Sequence, residues 1–334
     1  MDLKKLQQTA KAMVARGKGI LAIDESFGNS EKRFGKVGVP HTEENRRAYR
    51  QLLITAPGIE QYISGMILFD ETLRQKTADG VPFPDALKER GMIPGIKVDK
   101  GTKDLALHPN EVITEGLDGL RERFAEYAAL GAQFAKWRAV ITIGDGIPTV
   151  ACIRVNAHAL ARYAALAQEA GLVPMVEPEI LIDGGHSIER CAEVCAATWD
   201  ALFAELKEQG VELSGTILKT SMVLSGNACP DQADVETVAR MTIDALKTHV
   251  PAEVAGVVFL SGGQDDEKAT LHLNAMHILG EKLPWPLSFS YGRGIQNPAL
   301  TLWAQDTKNN VAKAQAAAVE RSRANAFASE GKYK

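Results

Sequence analysis

Gly215-Thr-Ile-Leu-Lys-Thr-Ser-Met-Val223 is a short, mostly apolar, partly β-branched run with Lys219 at its centre. Such a run reads as a buried strand of a parallel sheet. A lysine buried without a partner costs several kcal/mol, so it is discharged, paired or chemically employed. The same conflict recurs along the chain. Lys97 sits in Ile93-Pro-Gly-Ile-Lys-Val98, Lys136 in Gln133-Phe-Ala-Lys-Trp-Arg138, and Glu177 and Glu179 in Leu172-Val-Pro-Met-Val-Glu-Pro-Glu-Ile180. A structural ion pair would explain one buried charge. Charges of both signs in several separate strands point to a common polar centre, and so to an active site.

Working outward, strand-like runs fall at 19–26, 63–70, 93–98, 132–140, 172–180, 215–223, 256–263 and 286–293. Amphipathic stretches lie between them, several with readable ends. Thr42 precedes a helix over 43–56, and Gly131 closes one over 117–130. Gly171 ends the helix over 156–170, and Ser187 caps one over 188–209. Asp231 opens the stretch to His249, and Asn297-Pro298 starts the last helix. Eight strands alternating with helices give an α/β fold with a parallel sheet, and the count favours a closed (β/α)8 TIM barrel. An open doubly wound sheet is the runner-up, but no GxGxxG follows the first strand. No linker-like or low-complexity segment interrupts the chain, which reads as one barrel domain over 1–334. A short helix at about 1–17 precedes the barrel, and a helix at about 297–327 follows it.

The composition narrows the function. Hydrophobic content of 45% and charged content of 24% are those of a soluble globular chain. A formal net charge of −4, with no run of like charges, argues against nucleic acid or an anionic membrane as partner. No apolar stretch is long enough to span a bilayer, and the N-terminal stretch lacks the apolar core of a signal peptide, so the expected location is cytoplasmic. The four cysteines include no CxxC and the seven histidines no HxxxH, so reduced thiols are expected, with no metal site and no cofactor.

Residues two apart in a strand face the same side, which pairs Asp24 with Ser26, Lys136 with Arg138, Glu177 with Glu179, and Ser290 with Gly292. In a barrel these strand ends converge at the C-terminal mouth, where such enzymes place their chemistry. The seventh and eighth runs end in Ser261-Gly-Gly263 and Ser290-Tyr-Gly-Arg-Gly294. Glycines let backbone amides approach a phosphate, an arginine grips it with a fork, and barrel phosphate sites commonly use these two loops. A lysine made neutral by burial or a neighbouring cation can attack a ketone to form a Schiff base, and the iminium then acts as an electron sink. Nearby carboxylates can shuttle the protons. Lysine, carboxylates and a phosphate site together point to carbon–carbon bond chemistry on a phosphorylated ketose.

The chain closely resembles class I fructose-bisphosphate aldolases from about residue 18 to residue 333. The matching segments are Gly19-Ile-Leu-Ala-Ile-Asp-Glu-Ser26, Thr42-Glu-Glu-Asn-Arg-Arg47, Gly95-Ile-Lys-Val-Asp-Lys-Gly101 and Phe134-Ala-Lys-Trp-Arg138. Val176-Glu-Pro-Glu-Ile-Leu181, Phe259-Leu-Ser-Gly-Gly-Gln264 and Phe289-Ser-Tyr-Gly-Arg293 follow in family order. The resemblance implies that Lys219 forms the Schiff base, Glu177 handles its protons, and Asp24 takes the hydroxyl proton during cleavage. Lys136 and Glu179 would tune the charge around Lys219. Ser261, Gly262, Gly263, Ser290, Gly292 and Arg293 would hold the C1 phosphate. Lys97 would reach the other phosphate, with Ser26, Arg33 and Arg138 contributing.

It further implies phosphorylated ketose and triose substrates and a homotetramer. The chain departs from the family at Thr220, where proline is usual, at Ser221, where asparagine is usual, and at Phe27 and Asn29. Tyr333 matches an earlier tyrosine of the family rather than the terminal one. Two other readings stay open: a Schiff-base enzyme for another sugar, such as sedoheptulose 1,7-bisphosphate or fructose 1-phosphate, and a non-catalytic scaffold on the same barrel.

Overall fold

The computed structural model describes residues 2–334; Met1, where the predicted N-terminal helix was to begin, lies outside them. Eight parallel strands close into a barrel in chain order: β1 (Gly19–Ile23), β2 (Ile63–Leu68), β3 (Ile93–Lys97), β4 (Phe134–Ile141), β5 (Val173–Ile180), β6 (Ile217–Thr220), β7 (Gly256–Phe259) and β8 (Leu287–Tyr291), with β8 pairing back to β1. Helices surround it, and a small antiparallel hairpin, Thr102–Asp104 with Val112–Thr114, projects after β3. The (β/α)8 barrel expected from the sequence is the fold observed, and the open doubly wound sheet is excluded by the β8–β1 pairing.

Alternation along the strands divides the barrel interior into two storeys. The lower is apolar: Ile20 and Ala22, Ile67, Phe134, Val173 and Met175, Ile217 and Val258 pack with Leu6, Ala10 and Met13 of the helix Leu3–Met13, which plugs that end. Gly95 has a structural reason here. A Cβ on it would lie 2.1 Å from Cζ of Phe134, so only glycine lets that ring fill the barrel. Two residues further along the same faces come the charged side chains, Lys136 after Phe134, Glu177 after Met175 and Lys219 after Ile217. The opposite faces of the strands carry Leu21, Trp137, Val176, Leu218 and Phe259 into the main core beneath the helices.

Several element ends differ from the sequence expectation. Strands stop at Ile23, Leu68, Thr220, Phe259 and Tyr291, so Asp24, Ser26, Ser261 and Gly292 stand on loops just beyond them. Ladder pairing ends where the chain must turn into a helix, and hydrophobicity alone does not mark that point. The helix at Val235–His249 is capped by Asp234, whose side chain accepts from Thr237 N, and not by Asp231. The helix Val150–Glu169 starts earlier than expected, capped by Thr149, and Leu120–Ala129 starts later, behind Gly119 at φ +66°.

The single C-terminal helix expected over 297–327 is two helices, Arg293–Gln305 and Val311–Ala328. Asp306 breaks the run by accepting from the amides of Lys308 and Asn309. Pro298 lies inside the first of these helices and cannot donate to the Gly294 carbonyl. Arg321 Nε donates to that carbonyl instead, at 3.2 Å.

Candidate active site

Asp24, Lys136, Glu177 and Lys219 form an alternating chain of charge across four strand ends. Lys136 Nζ lies 2.6 Å from Asp24 Oδ2 and 3.2 Å from Glu177 Oε2, and Lys219 Nζ lies 2.9 Å from Glu177 Oε1. All four are buried or nearly so, with each side chain's charge answered by its neighbour. Burial opposes ionisation of Asp24, but the ammonium groups of Lys136 and Lys219 outweigh it and hold the carboxyl at about 2. Glu177 is likewise held below the usual carboxylate range, against burial, by Lys136 and Lys219. Burial works against the Lys136 ammonium, yet Asp24 and Glu177 raise its pKa well above the ordinary lysine value. At neutral pH the centre thus holds two carboxylates and a firmly charged Lys136 beside Lys219.

A second layer sits above. Arg138 Nε is bonded to Glu179, and Lys97 Nζ donates to Asp99 Oδ1 at 2.6 Å and to its carbonyl at 2.9 Å. Arg33 is bonded to Glu25, which also takes Arg50 at 2.9 Å, and Gln296 links Arg33 to Glu25. All of these charges except the buried Arg50 line one cleft of about 1040 Å³ at the C-terminal mouth. Every sequence-predicted site residue lines it except Gly263, which is set behind Gly262 against Ile182.

Facing Lys219 are Ser261, Gly262, Ser290, Gly292 and Arg293. Gly262 and Gly263 hold φ of +58° and +92°, a backbone form that presents successive amides to one side and suits glycine. The helix Arg293–Gln305 begins at this wall, adding a helix N-terminus. Ser290 Oγ is buried with no hydrogen-bond partner among the described residues. Arg293 is exposed and makes no ion pair among them. Arginine, unpaired hydroxyl and helix amides together make a site for a dianion.

Sequence reasoning missed Asp99, Glu25, Arg50 and Gln296. Asp99 follows Lys97 by two and was open to the same-face rule. Arg50 sits in a helix far from any strand end and Gln296 in the first turn of the helix after β8, and no local pattern marks either. The family departures have mixed positions. Thr220 Oγ1 accepts from Trp199 Nε1, and Ser221 Oγ accepts from Ile180 N and donates to Ile180 O, so both act within the wall. Phe27 opens a helix, Phe27–Lys36, and lies under the Arg46 guanidinium; Asn29 lines the cleft.

The family profile described as "Fructose-bisphosphate aldolase class-I" matches residues 5–334. The chain belongs to the class I fructose-bisphosphate aldolases. It is 61% identical over 334 residues to a probable class 1 aldolase of Xanthomonas campestris pv. campestris, covering all of both chains. It is 52% identical to the cytoplasmic aldolase isozyme of Spinacia oleracea, over 97% of this chain and 90% of that one. A structure of Plasmodium falciparum aldolase, in complex with TRAP and a small-molecule inhibitor, superposes with a TM-score of 0.97 at 47% identity, covering 99% and 95% of the two chains. As a member of this family the chain is an aldolase, a lyase of phosphorylated sugars. Among the described residues, no group of three or more His, Cys, Asp or Glu side chains could hold a metal ion, and no helix is long and apolar enough to cross a membrane.

Proposed function

We propose that the enzyme cleaves fructose 1,6-bisphosphate reversibly to dihydroxyacetone phosphate and glyceraldehyde 3-phosphate through a Schiff base at Lys219, as part of glycolysis and gluconeogenesis. The observation that carries this reading is the 2.9 Å contact of Lys219 Nζ with Glu177, on the floor of a cleft whose far wall bears the free Arg293. Lys219 passes a proton to Glu177 and attacks the ketone carbon, and Glu177 then moves the protons that release the carbinolamine oxygen as water. Lys136 stays protonated and keeps Asp24 and Glu177 apart in charge. Asp24 takes the proton of the hydroxyl beside the breaking carbon–carbon bond, and the iminium accepts the electron pair. Glu179 fixes Arg138 over the sugar chain.

Ser261, Gly262, Gly263, Ser290, Gly292 and Arg293 hold the C1 phosphate in this reading, while Lys97, Ser26, Arg33 and Arg138 face the other end. Residues 1–334 are taken to act as one domain, in a cytoplasmic homotetramer as the resemblance implies. Light scattering checks the assembly. Cleavage rates on fructose 1,6-bisphosphate, fructose 1-phosphate and sedoheptulose 1,7-bisphosphate test the substrate. A higher kcat/KM on either of the last two would replace the proposed sugar, and no turnover on any would leave a scaffold.

A further inference from the structure

Cys191 and Cys195 stand one turn apart on the inward face of the helix Ile188–Glu208, both buried and neither in a disulfide. They take no part in the chemistry above. Cys191 occupies the first turns of the helix, close to its positive end, and its Sγ accepts from Leu224 N at 3.4 Å. It also lines a small cavity of about 10 Å³ with His186, Ser221, Met222, Leu260 and Gly262. Both ring nitrogens of His186 lie in the interior without a hydrogen-bond partner among the described residues. The cavity has room for about one small polar molecule, and an unpaired imidazole to meet it. Leu260 and Gly262 line both this cavity and the main cleft, so they form the wall between the two.

We propose that Cys191 and Cys195 are a peroxide-responsive thiol pair whose oxidation disables the phosphate wall of the cleft. A cavity of this size admits hydrogen peroxide and excludes a peptide thiol or disulfide. The Cys191 thiolate attacks one peroxide oxygen: an S–O bond forms, the O–O bond breaks, and hydroxide leaves with the electron pair. Sulfur is oxidised by two electrons and peroxide reduced by two. The Cys195 thiol then attacks the sulfenic sulfur; an S–S bond forms, the S–O bond breaks, and the oxygen leaves as water with the Cys195 proton. The roles follow from position, since Cys191 and not Cys195 reaches the cavity. They agree with the thiols' acidities. Hydrogen bonding from Cys195 holds the Cys191 thiol below the usual range against burial, while the same bond and burial hold Cys195 well above it.

The consequence for the cleft is mechanical. Side chains four apart on a helix have Cβ atoms about 5–6 Å apart, wider than the roughly 3.8 Å of a relaxed disulfide. Closing the bond therefore distorts the second turn of this helix, between Cys191 and Cys195, and pulls on the first turn, Ile188–Cys191. That turn leads directly back into the loop bearing Ile182 and His186. A Cβ on Gly263 would lie 3.5 Å from Ile182 Cγ2, so the loop packs against the glycine pair at the phosphate wall.

The test treats the intact enzyme with hydrogen peroxide and maps every cysteine by mass spectrometry. A Cys191–Cys195 disulfide is expected, with KM for fructose 1,6-bisphosphate raised roughly tenfold, kcat little changed, and recovery in dithiothreitol. In Cys195→Ser, dimedone should label Cys191 and no disulfide should form. Oxidation confined to Cys229 or Cys152, or a 191–195 disulfide with unaltered KM, overturns the proposal. If the variant does not fold, the mapping on the unaltered enzyme decides. The kinetic half rests on the phosphate assignment, and the thiol mapping does not. An Arg293→Ala variant with normal KM would therefore remove the assignment and leave the disulfide result standing.

Discussion

Lys219 and Glu177 meet across β6 and β5 with Nζ 2.9 Å from Oε1. The carboxylate is near enough both to take a proton from the amine and to return one to an oxygen leaving the adjacent carbon. Glu177→Gln keeps the shape and removes the titratable group. We expect kcat to fall by about 10²–10⁴ with KM changed little. Borohydride with dihydroxyacetone phosphate should place an adduct on Lys219, and EDTA should leave the rate alone. An adduct on another lysine, or loss of activity with the chelator, would end the Schiff-base assignment.

Lys136 lies between two carboxylates, and that position decides how the centre titrates. In Lys136→Met, Asp24 loses its strongest stabilising charge, so its carboxyl rises from about 2 toward ordinary values. The acid limb of kcat/KM should then move toward neutrality by about one pH unit or more. Removing one partner of a buried pair should also lower stability by about 3–5 kcal/mol. A normal acid limb in a folded variant would contradict the role given to this lysine.

Asp24 carries a stability signature of defined sign. Its folded pKa is depressed from 3.8 to about 2, so its contribution is complete above the unfolded value and vanishes as pH falls toward 2. At ~1.4 kcal/mol per pKa unit this amounts to about 2 kcal/mol. Denaturant titrations at pH 5 and pH 2.5 should differ less for Asp24→Asn than for the unaltered enzyme, and an equal difference would exclude the linkage. Catalytically, Asp24→Asn should impair cleavage more than borohydride trapping, because its step follows the iminium. Parallel loss of both would reverse that order.

Much of this centre was legible because barrel strands carry a simple code. Lys136, Glu177 and Lys219 each follow an apolar residue by two on the same face, and that conflict between charge and burial is visible without coordinates. The loops proposed to hold phosphate stand out in the sequence through glycine, as φ of +58° and +92° at Gly262 and Gly263 accounts for their residue type. What was not legible lies across sequence distance. Arg50 and Gln296 reach Glu25 from helices on either side of the chain, and no periodicity relates them. The start of the first C-terminal helix at Arg293, ahead of Asn297-Pro298, was missed for a similar reason. Pro298 is tolerated in mid-helix because Arg321 serves the Gly294 carbonyl, a compensation supplied from the next helix.

The two ends of the cleft should respond differently to loss of a cation. Arg293 is exposed and unpaired among the described residues, so truncating it removes a grip without stranding a partner. Fructose 1,6-bisphosphate, fructose 1-phosphate and dihydroxyacetone phosphate all carry the C1 phosphate, so Arg293→Ala should weaken each of them by about 1.5–3 kcal/mol, the range for a hydrogen bond to a charged group. Lys97 differs because it is bound to Asp99 at 2.6 Å. Lys97→Ala removes the proposed contact to the second phosphate and also leaves the buried Asp99 carboxylate without its lysine partner at that end. Fructose 1,6-bisphosphate should be penalised twice, by a lost attraction and a new repulsion, while fructose 1-phosphate has no phosphate there to repel. The kcat/KM ratio of bisphosphate to monophosphate should therefore fall in Lys97→Ala and stay near its original value in Arg293→Ala. Adding Asp99→Asn to Lys97→Ala should restore part of the ratio by removing the repulsion. Equal shifts of the ratio in the two single variants would show that the phosphate ends are assigned wrongly.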